Sequence, residues 1–557
     1  MSHKELADAR SADGSLRLNF GYPDQEAYEE NLQDLIRDSV ASRIAARDAT
    51  LWGPDAESEA SIRLAWVDLA ESSRPLINEI IALREELLAE GLDHIVLAGM
   101  GGSSLAPEVI CGTDGVPLVT LDTTDPGQVA AAIADDLDRT VLVVSSKSGG
   151  TVETDSHRRA YQAAFEAAGI DPASRIIVVT DPGSPFQTLG EEAGYRKVFL
   201  ADAQVGGRYS ALTAFGLVPS GLAGADIERL LDDAAAVAPS LTDDSKDNPA
   251  LRLGTLLGMA HWRETEKLVF ADNDSGLVGF ADWAEQLIAE STGKDGHGLL
   301  PVVTEGLGAP GFDDARADAV VVYLGEPDAG PHPTSGFGVS VAGPLGAQML
   351  LWEYAIVIAS RMIGINPFDQ PNVEEAKIQA RQLLDNPEAS AAGEPLFVDN
   401  AIEVYGSDEL LGSAASVSEA LGTFFRAAPD YGYIAIQAYL DRHGDAAAAE
   451  LRADIARRTG LQTTFGWGPR FLHSTGQYHK GGHPNGVFLQ ITAEHDQDLA
   501  VPDRPYTFGV LQLAQALGDA EALRKAGHPV LRLHLQDRDA GLAQIRSAVS
   551  HLKGSRD

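Results

Sequence analysis

Short apolar, β-branched runs alternate with amphipathic stretches along most of this chain. Residues 94–98 (HIVLA), 116–121, 140–144 (TVLVV), 175–180 and 197–200 read as strands, with helices between them at 126–134 and 151–169. Strand runs of this kind, joined by helices, mark an open and mostly parallel sheet. A second alternation starts near residue 245. Its strands fall at 267–270, 319–323 and 339–341, with helices at 279–291 and 345–362. Further strands at 396–404, 431–439 and 530–535, a helix at 507–517 and a terminal amphipathic helix follow. The first ninety residues differ. Over 23–45 and 56–88 apolar residues recur at three- and four-residue spacing, as in Leu76, Ile80, Leu83 and Leu87, which predicts a mostly helical segment. The expected fold is therefore α/β, with two doubly wound, mostly parallel sheet domains flanked by helices. The expected units are an N-terminal helical segment over 1–90, a first sheet domain over 91–243 and a second over 244–557, elaborated at about 385–460.

Two small-residue loops follow strands of the first unit: 98–110 (AGMGGSSLAPEVI) and 145–154 (SSKSGGTVET). In the first, Gly101 and Gly102 let the backbone approach a ligand closely, and Ser103 and Ser104 stand where a helix is due to begin. In the second, Ser146, Lys147, Ser148 and Thr151 set hydroxyls and one cation around a Gly-Gly turn. Orphan N–H groups and the helix dipole make a strand–loop–helix start an anion site, so two such loops predict one phosphate held from two sides. Neither loop is a P-loop, and neither completes the GxGxxG of a dinucleotide fold. Arg208 directly follows the pair Gly206–Gly207, and is a candidate electrostatic clamp on that anion. Gln286 and Glu290 lie four apart on one helix face. Glu290 sits at that helix's C-terminus, where the dipole disfavours it, a placement that points to function. Residues 364–377 (GINPFDQPNVEEAK) form a rigid turn carrying Gln370 and a helix carrying Lys377. The glycine-rich stretch 465–492 holds His473, His479 and His483, but its spacing fits no common metal-ligand set, and a proton-handling histidine is the expectation there.

The chain has 557 residues, 44% of them hydrophobic, enough for several full cores. Its net charge of −40 excludes a general nucleic-acid binder and requires any anion site to be locally basic. Cys111 is the only cysteine, which rules out an internal disulfide and a thiolate metal cluster. The sequence has neither an apolar signal core at its start nor an apolar run long enough to span a membrane, so a cytoplasmic location is expected.

Taken in order, GMGGSSLAP, SSKSGGTVET, GGRYS, ESTGK and NPFDQPNVEEAK resemble five successive motifs of the phosphoglucose isomerase family, built from two sugar-isomerase (SIS) domains. Ser148 stands in the usual Thr place, and the likeness runs from about 90 to 380. The family's histidine is looked for between the ESTGK and NPFDQ motifs, where only His297 and His332 occur. The better match, LHSTG followed by HPNGVFLQIT and YTFG, lies later, as in the isomerase half of fused transaldolase–phosphoglucose isomerase proteins. The resemblance thus implies His473, with His332 as the fallback. It implies interconversion of glucose 6-phosphate and fructose 6-phosphate through a cis-enediol, with Glu290 as base, Arg208 as clamp, and His473 and Lys377 as ring-opening groups. Gly101, Gly102, Ser103, Ser146, Lys147, Ser148, Thr151, Gln286 and Gln370 would bind the substrate. It implies no metal or cofactor, and a homodimer whose sites share a histidine across subunits. Alternatives are an isomerase that also takes mannose 6-phosphate, and a non-catalytic sugar-phosphate sensor.

Overall fold

The computed structural model describes residues 7–326, 334–385 and 393–552, with the side chains of 374–377 and 385 left undescribed. Three sheets organise it. The first is wholly parallel, in the order Val119–Leu121, His94–Gly99, Thr140–Ser145, Ile176–Thr180, Lys197–Leu200. Thr140–Ser145 and Ile176–Thr180 are buried at every residue, as their unbroken apolar runs require when helices cover both faces. Strand order reverses between His94–Gly99 and Thr140–Ser145, and Gly99 pairs with Ser145 in register. Both small-residue loops therefore leave the sheet side by side at its switch point, where open α/β sheets bind ligands.

The second sheet runs Ala7–Arg10, Arg17–Gly21, Gly338–Ala342, Ala319–Leu324, Lys267–Asp272, Leu300–Val303. Its last four strands are parallel, and Arg17–Gly21 pairs antiparallel with Gly338–Ala342. Here the expectation of a mostly helical start needs correction at 7–21. Leu16, Leu18 and Phe20 are buried and alternate with polar residues, a period-two signal that three- and four-residue spacing overlooks. Helices Gln25–Arg37 and Pro75–Ala89 do follow.

A third sheet lies where an elaboration of the second domain was expected. Its order is Phe397–Asp399, Ile402–Tyr405, Val530–Leu535, Gly486–Ala493, Tyr433–Tyr439, Gln462–Trp467. The strand expected over 396–404 is a hairpin turning at Asn400, which takes φ +50°. Gly486–Ala493, which the sequence reading placed in a glycine-rich loop, is buried throughout. Counting each sheet's parallel strands in chain order, all three sheets share the order 2-1-3-4. In the second and third sheets an antiparallel hairpin then pairs with the fourth strand.

The strand ends of the third sheet dock onto the first unit. Arg538 donates to Asp125 at 2.8 Å and to Asp445 at 2.7 Å, and Asp125 is fully buried. Arg470 pairs with Glu108 and Asp122. His157, on helix Val152–Ala167, lies 2.7 Å from the Thr123 carbonyl and stacks on Phe508 of helix Phe508–Lys525. Burial holds His157 down to about 4, against the opposing hydrogen bond to Thr123. Its folded value lies below the ordinary 6.5, so between these two pH values the unfolded chain binds the extra proton. Stability is expected to fall by roughly 3 kcal/mol from this residue as pH drops from 6.5 to 4. Urea midpoints across that range should slope less steeply in His157→Gln than in the wild type, and equal slopes would refute the assignment.

Candidate functional site

The loops meet by close backbone approach. Gly101 takes φ +55°, and a Cβ there would stand 2.8 Å from both Gln286 Nε2 and the His473 carbonyl. A Cβ on Gly102 would lie 2.0 Å from the Gly207 carbonyl. The first loop is thereby wedged between the Arg208 turn, the Glu290 helix and the His473 segment. In the second loop the Ser146 and Thr151 hydroxyls bond at 2.9 Å, and the Ser146 and Ser148 hydroxyls accept from Gly149 and Gly150 N–H. Thr151 begins helix Val152–Ala167 without capping it by its side chain. The helix's first N–H groups thus stand open beside these hydroxyls.

Arg208 and Glu290 form the buried centre. Arg208 Nε lies 3.7 Å from Glu290 Oε2, with the two side chains 2% and 11% exposed. Arg208 Nη2 donates to the Phe368 and Asp369 carbonyls at 2.8 and 3.2 Å and to Gln370 Oε1 at 2.6 Å, while Nη1 is buried with no partner. Gln286 Nε2 lies 3.3 Å from Glu290 Oε1, as their four-residue spacing on helix Phe280–Thr292 predicts. Gln370, expected at the phosphate, is engaged with Arg208. Lys294 fastens the same turn, donating to the Asn366 and Asp369 carbonyls at 2.7 and 2.6 Å and to Asp369 Oδ1 at 2.7 Å. Burial, with help from Arg208, brings Lys294 down to about 8.

His473 reaches the same place from the third sheet. Its Nε2 is 3.0 Å from Glu153 Oε1, in the first turn after the second loop. Gln515 donates to the same oxygen at 2.7 Å and accepts from the Thr124 hydroxyl at 2.8 Å. The third sheet brings His473 to Glu153 within one chain. Helix Gly476–Gly481 seals the junction: Gln477 donates to the Gly293 carbonyl at the end of the Glu290 helix, and a Cβ on Gly293 would lie 2.5 Å from Tyr478 Cα. A cavity of about 330 Å³ opens beside the second loop, lined by Ser148, Thr151, Glu153, His473, Lys480 and Gln515 among others.

Lys147 does not face this cavity. Its ammonium pairs with Asp181 and reaches the Ala203 carbonyl at 3.4 Å. Ser103 is buried within the first loop. Helix Val373–Asp385 carries Lys377, whose side chain lies outside the described residues, as does His332. His479 and His483 serve other contacts, with the Tyr433 hydroxyl and Glu266. Among the described residues, no group of three or more His, Cys, Asp or Glu side chains is placed to hold a metal ion, and no helix is long and apolar enough to cross a membrane. Sequence reading missed Glu153, which stands in the SSKSGGTVET motif but reads there as an ordinary acidic first-turn residue. It also missed Lys294 and Gln515, which only tertiary contacts reveal.

The fold is of the SIS type, with paired loops leaving the first sheet at its switch point. Residues 80–298 match the family model described as phosphoglucose isomerase. It is 29% identical over 406 residues to a probable glucose-6-phosphate isomerase of Natronomonas pharaonis, covering 71% of this chain and 90% of that one. It is 28% identical over 354 residues to a glucose-6-phosphate isomerase of Rippkaea orientalis, covering 53% and 66%. Two crystal structures share the fold. A hypothetical protein of Thermus thermophilus aligns with TM-score 0.55 at 23% identity, over 66% of this chain and 99% of that one. A glucose-6-phosphate isomerase of Chlamydia trachomatis aligns with TM-score 0.53 at 18% identity, over 68% and 90%.

The glycine contacts predict a sharp contrast. Gly102→Ala drives a methyl into the Gly207 carbonyl, whereas a Cβ on Gly207 meets nothing within 4 Å. Gly102→Ala is expected to cost about 1–3 kcal/mol in urea unfolding and to weaken inorganic phosphate binding, and Gly207→Ala to do neither. Equal behaviour of the two variants would show that the loops are not wedged together.

Proposed function

We propose that this chain is a glucose-6-phosphate isomerase, interconverting glucose 6-phosphate and fructose 6-phosphate through a cis-enediol. The buried Arg208–Glu290 pair carries the reading. The reaction moves a proton between adjacent carbons, so one shielded carboxylate suffices as base, and Glu290 is buried and steadied by Gln286. The free Arg208 Nη1 is a donor for the oxygen that gains charge in the enediolate. His473, its ring fixed by Glu153, protonates the ring oxygen on opening, and Lys377 assists as the resemblance implies. The hydroxyls of Ser103, Ser146, Ser148 and Thr151, with Gly101 and Gly102, hold the phosphate. Fixing the phosphate positions the reacting carbons. The relatives' printed names support this activity, and a glycolytic enzyme of this kind works in the cytoplasm. If two copies pair, as the resemblance implies, each site is built from one chain.

A coupled assay of fructose 6-phosphate conversion tests this. Glu290→Gln is expected to lose about 10²–10⁴-fold in kcat with sugar-phosphate binding retained, and His473→Ala to lose activity as well. Co-expressing the two variants should restore nothing, because base and histidine come from the same chain. Recovered activity would show a shared site. Wild-type protein that binds the sugar phosphate without turning it over would make the chain a sensor instead.

A further inference from the structure

The phosphate cradle of the second loop lacks the cation that its sequence promises. Lys147 is engaged with Asp181 and is not among the residues that line the cavity. The second loop itself then offers hydroxyls and N–H groups to a dianion, in a chain of net charge −40 that repels anions at long range. Among the described residues, two cations line the cavity, the exposed Arg381 and Lys480.

Lys480 is held from behind. Its side chain is 5% exposed, and its ammonium lies 2.5 Å from Oδ1 of Asp519, which is fully buried. Asp519 Oδ2 faces Gln490 Nε2 at 3.4 Å, and Gln490 in turn donates to Gln437 at 3.1 Å. These residues belong to helix Phe508–Lys525 and to the adjacent strands Gly486–Ala493 and Tyr433–Tyr439 of the third sheet. The ammonium also donates to the Gly476 carbonyl at 3.3 Å. Burying a Lys–Asp pair gains little stability, because desolvation offsets the attraction, so a network that anchors one at a cavity wall calls for another reason. An ammonium has three donors, and two are used. The cavity that Lys480 lines is the one onto which Ser148, Thr151 and His473 open.

We propose that Lys480 is the phosphate-binding cation of this site, supplied by the third sheet in place of Lys147. This rests on the sugar-phosphate reading above. The Asp519–Gln490–Gln437 network keeps the ammonium fixed and charged, with its third N–H directed to a phosphate oxygen seated against Ser148 and Thr151. The charged hydrogen bond gives the cradle its affinity, and the fixed position helps to set the sugar against His473.

Calorimetric titration of inorganic phosphate into the full-length protein tests this, alongside KM for fructose 6-phosphate. Lys480→Met is expected to weaken phosphate binding at least about tenfold and to raise KM in step. Lys480→Arg keeps the charge and the pair, and should stay within a few-fold of the wild type. Lys147→Met and Arg381→Gln should change phosphate affinity little. Thermal melts separate folding from binding: if Lys480→Met fails to fold, Asp519→Asn keeps the charge but loosens its position, and should weaken phosphate binding measurably. The proposal falls if Lys147→Met or Arg381→Gln carries the loss instead. It also falls if Lys480→Met raises KM while phosphate affinity is unchanged, which would put the ammonium on a sugar hydroxyl. A wild type that binds no phosphate at all would overturn the reading of the cavity itself, and this inference with it.

Discussion

The site depends on one steric constraint: the first glycine loop has no room for a Cβ. Gly102 lies against the Gly207 carbonyl, and Gly101 against Gln286 and the His473 backbone. Segments from all three sheets converge there, so the Glu290 helix, the arginine turn and the His473 segment share one fixed point. Tight backbone packing of this kind positions groups to tenths of an ångström without relying on any single polar contact. It also explains the glycine at 293, where the end of the Glu290 helix meets the Tyr478 backbone.

Charge works locally against the chain's overall acidity. Buried charges are paired: Asp125 with Arg538, Asp122 and Glu108 with Arg470, and the buried Lys294 with Asp369. Burial alone would raise the Glu108 carboxyl, yet Arg470 and Arg442 hold it well below the usual range. These pairs join the third sheet to the first and fasten the turn at Arg208. Breaking one would leave an uncompensated buried charge, so they fix the relative position of the units more than they add stability.

One strand order serves three purposes. In the first sheet the switch point carries the two anion loops. In the second, the helix that follows the first parallel strand, Lys267–Asp272, carries Glu290. In the third, the strand ends grip the first unit through Arg538 and deliver the His473 segment after Gln462–Trp467. The third sheet thus brings His473 to Glu153 of the first unit within one chain.

The sequence by itself determined the parallel sheet, the two loops and the Gln286–Glu290 contact, because these rest on short-range signals: unbroken β-branched runs, glycines at strand ends, and Gln286 and Glu290 one helical turn apart. It also singled out His473, through a motif displaced along the chain. It did not reveal that residues 7–21 form an edge hairpin, that 486–493 is a core strand, or that a third sheet exists. Glycine, threonine and glutamine dilute the apolar pattern there, and long-range pairing decides the outcome. Only the tertiary structure decided where side chains point: Lys147 turns away to Asp181, Glu153 backs His473, and Lys480 faces the cavity from an anchored pair. A residue's type is written locally, but its partner comes from another part of the chain, brought near by folding.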